Sequence, residues 1–193
     1  MGVSMNAIEQ KILEEGTVID NDIIKVDSFL NHQIDVKFLK EFAAMVKDAF
    51  PGLHIDKVLT IETSGLAVAY AVSEVFDDVP MVFAKKSKSK TVGPDVYKTN
   101  VMSFTRGTVS EVTVSQRFLN KGENILIVDD FLAEGNASLG LIDLCTQAGA
   151  VPVGVAVVIE KEFQGGRKRI ESLGIPVFSG ASIKSFQDNK PRF

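Results

Sequence analysis

The sequence predicts an α/β protein with a mostly parallel β-sheet flanked by helices. Short runs rich in Val, Ile and Leu alternate along the chain with helical segments. That order is typical of a parallel sheet covered by helices on both faces. The runs are apolar along most of their length, which indicates strands that are buried on both sides. A length of 193 residues with 45% hydrophobic and 24% charged residues fits one large globular domain.

The N-terminal part predicts two helices separated by an irregular segment. Ser4 or Asn6 can cap a first helix that runs to a stop at Gly16. The segment "TVIDNDIIKVDSFLNHQID" follows and is too irregular for one strand. Asp35 then caps "VKFLKEFAAMVKDAF", where apolar residues recur at helical spacing, and Pro51-Gly52 ends that helix.

The strands and helices of the predicted sheet follow in strict order. The expected strands are "KVLTIE", "PMVFAK", "ENILIVDD", "VPVGVAVVIEK" and the short "IPVFS". The expected helices between them are "GLAVAYAVSEVF", "NASLGLIDLCTQAG" and a helical turn at "RKRIESLG". The pattern predicts five strands, with helices as the connections between them.

Residues 86–120 interrupt the alternation with polar and then β-like sequence. "VYKTNVMSF" and "TVSEVTVS" flank Thr105-Arg106-Gly107, which predicts a β-hairpin. We expect Lys88 and Lys90 to form a solvated charge run. A long excursion in a compact domain is uncommon unless it has a function. A surface hairpin that only covers a sheet edge is an equally good interpretation of the pattern.

Composition narrows the classes of function. A net charge of −4 argues against general nucleic-acid binding, which needs clustered Lys and Arg. The single cysteine, Cys145, cannot form an internal disulfide, so we expect a reducing, cytoplasmic setting and a buried hydrophobic role. No apolar run approaches membrane-spanning length, and the N-terminus lacks the apolar core of a signal peptide.

Asp129 and Asp130 follow directly after the apolar run "ILIV". In a parallel α/β sheet, ligands bind beyond the carboxyl ends of strands, where these acids are expected. The next loop ends at a helix start, whose free N–H groups and dipole favour an anion. Gly135 lets the backbone approach, and Asn136 or Ser138 can add donors. A sugar phosphate suits this arrangement. The alternative is a structural turn with an Asp cap. Burying two adjacent acids destabilises a fold, however, which favours a functional reason for keeping them.

The stretch "ILIVDDFLAEGNAS" resembles the phosphoribosyl diphosphate signature of the type I phosphoribosyltransferases. Within that family, "KVDSFLNHQID", "TIETSGLAVA", "VFAKKSKS" and "VVIEKEFQGGR" are most similar to the bacterial xanthine phosphoribosyltransferases. The family often has Thr-Gly-x-Thr where this chain has Glu134-Gly135-Asn136-Ala137. We expect Asn136 and Ser138 to supply the missing side-chain donors.

The resemblance implies a reaction of purine salvage. A 5-phosphoribosyl group would pass from phosphoribosyl diphosphate to N9 of xanthine, giving xanthosine monophosphate and diphosphate. Asp129 and Asp130 would be the catalytic residues, positioning the ribose hydroxyls and placing negative charge near a developing cation. Mg²⁺ is the expected cofactor, bound through the diphosphate rather than directly by the protein. The resemblance also implies a homodimer, with no nucleic-acid or membrane partner.

It further implies the residues that bind each part of the substrates. The residues expected to bind phosphoribosyl diphosphate are Ala133, Glu134, Gly135, Asn136, Ala137, Ser138, Thr63, Ser64, Gly65, Lys85 and Lys86. The residues expected to bind xanthine are Ile24, Asn31 and Lys161. A lysine only donates, so Lys161 suits a base oxygen. Phe131 or Phe163 can stack on the purine. Without the resemblance, a core residue is the preferred interpretation of Ile24 and a turn residue that of Asn31, and residues 63–65 could instead start the next helix.

The expected organisation is one phosphoribosyltransferase domain over residues 1–193. Its core would span about 35–180, with a small hood from about 1–34 and 160–193 and a flexible loop at about 86–120 that closes over the substrates. One alternative is a phosphoribosyltransferase for guanine or hypoxanthine. Another is a transcription regulator that senses phosphoribosyl diphosphate. The acidic chain, with about two dozen residues before "IIKVDSF", disfavours the regulator.

Overall fold

The computed structural model describes residues 5–86, 95–103 and 108–193. The helices in these ranges are α1 (Ala7–Glu15), α2 (Val36–Ala49), α3 (Gly65–Val75), α4 (Asn136–Ala148) and α5 (Gly166–Glu171). The strands are β1 (Thr17–Ile19), β2 (Ile23–Lys25), β3 (Lys57–Ile61), β4 (Met81–Ala84), β5 (Val96–Ser103), β6 (Thr108–Ser115), β7 (Asn124–Leu132), β8 (Val151–Lys161), β9 (Val177–Ile183), β10 (Ser185–Gln187) and β11 (Lys190–Arg192).

A five-stranded sheet in the order β4-β3-β7-β8-β9 forms the centre of the fold. Every neighbouring pair in it is parallel, which confirms the predicted class. The carboxyl ends of all five strands therefore meet at one edge. The expected strand "IPVFS" is longer than predicted, since β9 continues through Ile183.

Both faces of the sheet are covered by other elements. Successive residues of a strand point to opposite faces, so neighbouring residues of β7 contact different elements. On one face Leu126 and Val128 of β7 pack with α1, α2 and α3. On the other face Ile125 and Ile127 pack with α4 and with the hairpin strands β5 and β6. The continuous apolar run of β7 thus serves two cores, which explains why it lacks the alternation of a one-sided strand.

The first two helices begin where the sequence predicts. Asn6 caps α1 and forms a capping box with Glu9, whereas Ser4 lies outside the described residues. The Asp35 side chain accepts from the Phe38 N–H at 3.1 Å and caps α2. Lys11 Nζ, in the middle of α1, lies 2.8 Å from Asp35 Oδ2 and so links α1 to the start of α2.

The predicted hairpin is present in β5 and β6, which pair antiparallel over eight residues each. Its turn, Thr105-Arg106-Gly107, lies outside the described residues, as do Lys88 and Lys90. The hairpin packs on α4, where the Gln147 side chain exchanges two hydrogen bonds with the Lys98 backbone at 2.9 and 3.2 Å. Lys85 and Thr113 also form a backbone bridge between the sheet edge and β6.

Two small antiparallel hairpins, β1–β2 and β10–β11, come from opposite ends of the chain. They are joined because Asn21 and Asn189 each donate a backbone N–H to the other's side chain, at 3.1 and 2.7 Å. A π-helical turn, Asp27–Asn31, follows β2 and buries Phe29 and Leu30. Within the described ranges no helix is long and apolar enough to cross a membrane.

Candidate active site

A cavity of about 880 Å³ opens at the carboxyl ends of β3, β7 and β8. It brings together segments that are far apart in the sequence: the β2 hairpin, the β3–α3 loop, the end of β7, the loop before α4 and the end of β8. The predicted site residues that line it are Ile24, Asn31, Thr63, Ser64, Lys86, Asp129, Asp130, Ala133, Glu134, Gly135, Asn136, Ala137, Ser138 and Lys161. Gly65 and Lys85 are not among the described residues of its lining.

The acid pair is held rigidly at the end of β7. Asp129 is 5% exposed, and its Oδ1 accepts from the Asp130 N–H at 2.9 Å. Asp130 is half-buried, and its Oδ1 accepts from the Phe131 N–H at 3.0 Å. Burial, and secondarily the Asp130 charge, raise the pKa of Asp129 well above its usual value. Such a pair suits a ligand that brings hydroxyl donors or positive charge.

The loop from Ala133 to Ser138 has the features of an anion site. Gly135 has φ +83° at the start of α4, a conformation that favours glycine. No described side chain caps this helix, so the N–H groups of its first turn are open to the cavity. Ser138 Oγ is buried and lacks a hydrogen-bond partner among the described residues. A bound phosphate would satisfy both kinds of donor.

Glu134 and Asn136 belong to a hydrogen-bond network behind this loop. Asn136 Nδ2 donates to Glu134 Oε2 at 3.1 Å. Arg169 Nη1 donates to the Glu134 carbonyl at 2.6 Å and to Asn136 Oδ1 at 2.9 Å. Sequence reasoning missed Arg169, because nothing in the local pattern of α5 indicates which loop it contacts.

The β3–α3 loop forms the opposite wall of the cavity. The Ser64 side chain makes no cap hydrogen bond within the described structure, and it lines the cavity. The peptide bond between Glu62 and Thr63 is cis. Gly65 begins α3 behind the wall, and a Cβ there would overlap Thr60 Oγ1 and lie 2.9 Å from Asp129 Oδ1. Gly65 therefore lets the helix start approach the acid pair.

Lys85 and Lys86 face different surroundings, since successive residues of an extended chain point to opposite sides. Lys86 lines the cavity, and its N–H donates to Glu62 Oε1 at 2.7 Å. Lys85 instead pairs its backbone with Thr113, at 2.9 Å in both directions, and its ammonium lies 5.8 Å from the centre of the Phe83 ring.

Lys161 lies at the other end of the cavity, on the last residue of β8. It is 8% exposed, and its Nζ donates to the Asp22 carbonyl at 2.7 Å. Burial lowers its pKa. Two of its three N–H groups are left for a ligand. Phe131 lines the cavity beside it, whereas Phe163 is not among the described lining residues and packs edge-on against Phe186.

A second network that the sequence did not reveal lies next to Lys161. Glu160 is 1% exposed and accepts from Arg167 Nε at 2.9 Å and from Ser179 Oγ at 2.7 Å. Arg167 Nη1 also donates to the Val177 carbonyl at 2.7 Å. These bonds fix α5 to the end of β8 and to the first residues of β9. Cys145 is buried away from the site, and burial raises the pKa of its thiol to about 12, which fits the expected hydrophobic role.

Comparison with known proteins agrees with this geometry. The family model described as "Phosphoribosyl transferase domain" matches residues 25–182. Xanthine phosphoribosyltransferase from Clostridioides difficile (strain 630) is 53% identical over 189 residues, which cover 98% of this chain and all of the relative. Xanthine phosphoribosyltransferase from Laribacter hongkongensis (strain HLHK9) is 50% identical over the same shares.

Solved structures show the same fold at low identity. An adenine phosphoribosyltransferase from Trypanosoma brucei, in complex with AMP, pyrophosphate and ribose-5-phosphate, has a TM-score of 0.78 at 15% identity, covering 95% of this chain and 83% of that one. The Giardia lamblia APRTase, in complex with 9-deazaadenine, has a TM-score of 0.76 at 21% identity, covering 92% and 98%. The family match over most of the chain and the full-length relatives go beyond a shared fold: this chain belongs to the phosphoribosyltransferase family.

Proposed function

We propose that this enzyme transfers the 5-phosphoribosyl group of phosphoribosyl diphosphate to N9 of xanthine, giving xanthosine monophosphate and diphosphate in purine salvage. The choice of xanthine as the base rests on Lys161, a buried side chain that can only donate hydrogen bonds. It lies at one end of the cavity that also contains the acid pair and the loop of residues 133–138, called the phosphate loop below. The relatives named as xanthine phosphoribosyltransferases, about half identical over their whole length, support the same choice.

Phosphoribosyl diphosphate would lie across the carboxyl edge of the sheet. Its 5′-phosphate would bind the loop of residues 133–138, where the first-turn N–H groups of α4 and the unpartnered Ser138 hydroxyl are available. Its diphosphate would face Thr63, Ser64 and Lys86 on the opposite wall. The volume of about 880 Å³ is within the range of roughly 300–1,000 Å³ that is usual for ligand pockets, and it leaves room for a purine.

The acid pair would act on the sugar. In the reaction the bond from C1′ to the diphosphate oxygen breaks and the bond from C1′ to N9 forms, while the proton on N9 is taken up by the departing diphosphate. Positive charge develops on the ribose ring during this exchange, as in glycosyl transfer generally. Asp129 and Asp130 would accept hydrogen bonds from the ribose hydroxyls and stabilise that charge. Their fixed hydrogen bonds to the backbone of β7 mean that little reorganisation is needed.

Mg²⁺ is part of this proposal. The described residues contain no cluster of three or more His, Cys, Asp or Glu that would hold a metal ion alone. Mg²⁺ typically keeps several waters and binds substrate phosphates with one or two carboxylates, so the few carboxylates of the cavity fit a metal bound through the diphosphate. When bound, it neutralises charge on the leaving diphosphate.

Lys161 would distinguish xanthine from guanine. Xanthine has oxygens at C2 and C6, whereas guanine has an amino group at C2. The Asp22 carbonyl holds the Lys161 ammonium in place, and the remaining N–H groups of the ammonium would donate to the xanthine oxygen at C2, where guanine has a donor instead. Guanine would leave a buried donor unsatisfied, which costs about 1–3 kcal/mol. Ile24 and Asn31 would complete the base pocket, and Phe131, which lines the same cavity, would stack on the purine.

The remaining organisation is proposed from the same geometry. The joined hairpins β1–β2 and β10–β11 would form the hood over the base. The hairpin of β5 and β6 contributes Val101, Met102 and Ser110 to the cavity wall, which supports a role of residues 86–120 in covering the substrates. We retain one domain over residues 1–193, with its core at about 35–180, a homodimeric assembly and a cytoplasmic location.

The test is product formation by purified protein with xanthine, phosphoribosyl diphosphate and Mg²⁺. Chromatography and mass spectrometry should detect xanthosine monophosphate and diphosphate in equal amounts. A preparation that is folded and binds phosphoribosyl diphosphate, yet forms no nucleotide from xanthine, would overturn the proposal.

The Lys161→Met variant tests whether Lys161 recognises the purine base. Loss of a charge-assisted hydrogen bond costs about 1.5–3 kcal/mol, so kcat/KM for xanthine should fall by roughly 10- to 150-fold. The Kd for phosphoribosyl diphosphate should change by less than about threefold. Lys37→Met removes an exposed lysine of α2 and serves as the control. Equal losses for xanthine and phosphoribosyl diphosphate would show that Lys161 does not read the base.

A further inference from the structure

Arg169 contacts the phosphate loop from outside the cavity. It is exposed on α5 and is not among the described residues that line the cavity. One of its guanidinium nitrogens, Nη1, nevertheless donates both to the Glu134 carbonyl at 2.6 Å and to Asn136 Oδ1 at 2.9 Å. Arg169 therefore binds the loop on both sides of Gly135, through the backbone of Glu134 and the side chain of Asn136.

The loop needs support of this kind because of its own conformation. Gly135 has φ +83° and no described side chain caps α4. Other support comes from the start of α5, where the Gly166 N–H donates to the Ala133 carbonyl at 3.1 Å. A Cβ on Gly135 would lie 3.2 Å from Gly166 Cα, so the two backbones are in close contact. Residues that hold a loop in its binding conformation reduce the entropy lost when the ligand binds.

The helix that carries Arg169 is itself fixed to the sheet. Arg167, two residues earlier, binds the buried Glu160 carboxylate and the Val177 carbonyl. Residues two apart on a helix point in different directions, so Arg167 faces the sheet while Arg169 faces the loop. Arg167 thus fixes α5 to the sheet, and Arg169 connects α5 to the loop.

The charges of Glu134 and Arg169 also affect how well the loop can bind a phosphate. Glu134 lines the cavity, and a carboxylate there would repel a phosphate dianion. Asn136 Nδ2 binds one of its oxygens at 3.1 Å, and Asn136 in turn accepts from the Arg169 guanidinium. Arg169 and Glu134 therefore belong to the same hydrogen-bond network, and the positive charge of Arg169 partly offsets the negative charge of Glu134.

We propose that Arg169 is a positioning residue for the 5′-phosphate site: it holds Glu134 and Asn136 so that the N–H groups at the start of α4 face the phosphate. This inference rests on the proposed function for the identity of the phosphate. It gives Glu134, which departs from the usual family loop, a structural role as the acceptor that orients the Asn136 amide.

The test compares two ligands that use opposite walls of the cavity. Calorimetry would measure the Kd of ribose 5-phosphate, which needs the loop, and of inorganic diphosphate, which needs Thr63 and Ser64. Arg169→Met should raise the Kd for ribose 5-phosphate about tenfold and leave that for diphosphate within threefold. Arg169→Lys, which keeps the charge but not the planar fork, should give an intermediate Kd. In turnover, KM for phosphoribosyl diphosphate should rise while KM for xanthine stays unchanged.

Lys168→Met is the matched control, because it removes an exposed positive charge from the same helix and its side chain forms no described bond with the loop. Its Kd for ribose 5-phosphate should equal that of the wild type. An equal loss in Lys168→Met and Arg169→Met, or a Kd within threefold of wild type in Arg169→Met, would overturn the inference. Absence of xanthine turnover in the wild type would overturn the proposed function instead, and the ribose 5-phosphate comparison would still decide the role of Arg169.

Discussion

The start of α3 offers a direct test of how the acid pair is held. Gly65 lies where a Cβ would overlap Thr60 Oγ1 and approach Asp129 Oδ1 to 2.9 Å. Neither neighbour can move into solvent, since Thr60 is fully buried and Asp129 is 5% exposed. Gly65→Ala must therefore shift the helix start or the Asp129 carboxylate. Both shifts would disturb the position of Asp129 relative to the proposed ribose site.

Two effects of opposite sign set the magnitude of this change. Alanine is favoured over glycine in a helix by up to about 1 kcal/mol. Overpacking of a buried site costs about 1–3 kcal/mol. We expect the steric term to exceed the propensity term, with a net loss of about 1–2 kcal/mol in the free energy of unfolding, because both obstructing atoms are enclosed. For a domain of this size that lowers Tm by roughly 2–8 °C.

Thermal melts of four proteins would isolate the cause: wild type, Gly65→Ala, Thr60→Ala and the double variant. Thr60 Oγ1 has no described hydrogen-bond partner, so Thr60→Ala removes an obstacle without breaking a bond. When Thr60→Ala is already present, Gly65→Ala should cost little or stabilise, while turnover stays low because Asp129 is still crowded. A Gly65→Ala protein as stable as the wild type, or an equal loss with and without Thr60→Ala, would show that Thr60 does not obstruct a side chain at position 65.

Three further predictions follow from burial. Asp129→Asn should lower turnover on the order of 10²-fold, yet raise the Tm of the ligand-free protein at pH 7. Because the pKa of Asp129 is raised in the folded protein, its ionisation destabilises the fold: the penalty is complete above the folded-state pKa, shrinks as the pH falls below it, and is gone below the ordinary pKa of an unfolded Asp. An unchanged Tm would contradict this. Glu160→Ala should lower stability by about 3–5 kcal/mol in chemical denaturation, because Arg167 loses its buried partner; a loss below about 1 kcal/mol would show that the pair is dispensable. Cys145, with its pKa raised to about 12, should resist iodoacetamide in the native protein and react only after unfolding; rapid labelling of folded protein would contradict its burial.

The sequence was sufficient for the sheet and for the location of the acid pair. Long apolar runs such as "ILIV" can satisfy two faces only inside a covered sheet, so the five strands followed from composition and order. Asp129 and Asp130 directly follow such a run, and topology then requires them to lie at the ligand-binding edge. The Gly135 loop was predicted for the same reason, since it connects that edge to a helix start.

Features that depend on contacts between distant segments were not predictable in this way. Arg169 and the Glu160–Arg167 pair belong to α5 and its surroundings, and nothing in the sequence of that helix specifies that one arginine meets the sheet and the other meets the loop. The difference between Lys85 and Lys86 depends on where the extended chain meets β6, which no local pattern reveals.

The hairpin β10–β11 is a different case, because a local signal was present. Asp188 and Asn189, with φ of +52° and +53°, form the two-residue connection between Gln187 and Lys190. Asp and Asn tolerate the left-handed conformation that such turns require. "QDNK" between short β-like runs therefore predicts the hairpin, and this signal was overlooked.

Selection of xanthine by the cavity can be measured in a single competition experiment. Equal concentrations of xanthine, guanine, hypoxanthine and adenine would be mixed with limiting phosphoribosyl diphosphate and Mg²⁺, and the nucleotides quantified at low conversion. The product ratios equal the ratios of kcat/KM for the four bases. We predict that xanthosine monophosphate exceeds every other product by about fivefold or more, the ratio that corresponds to the lower end of the penalty for an unsatisfied Lys161. A mixture in which guanosine or inosine monophosphate equals or exceeds it would contradict the account.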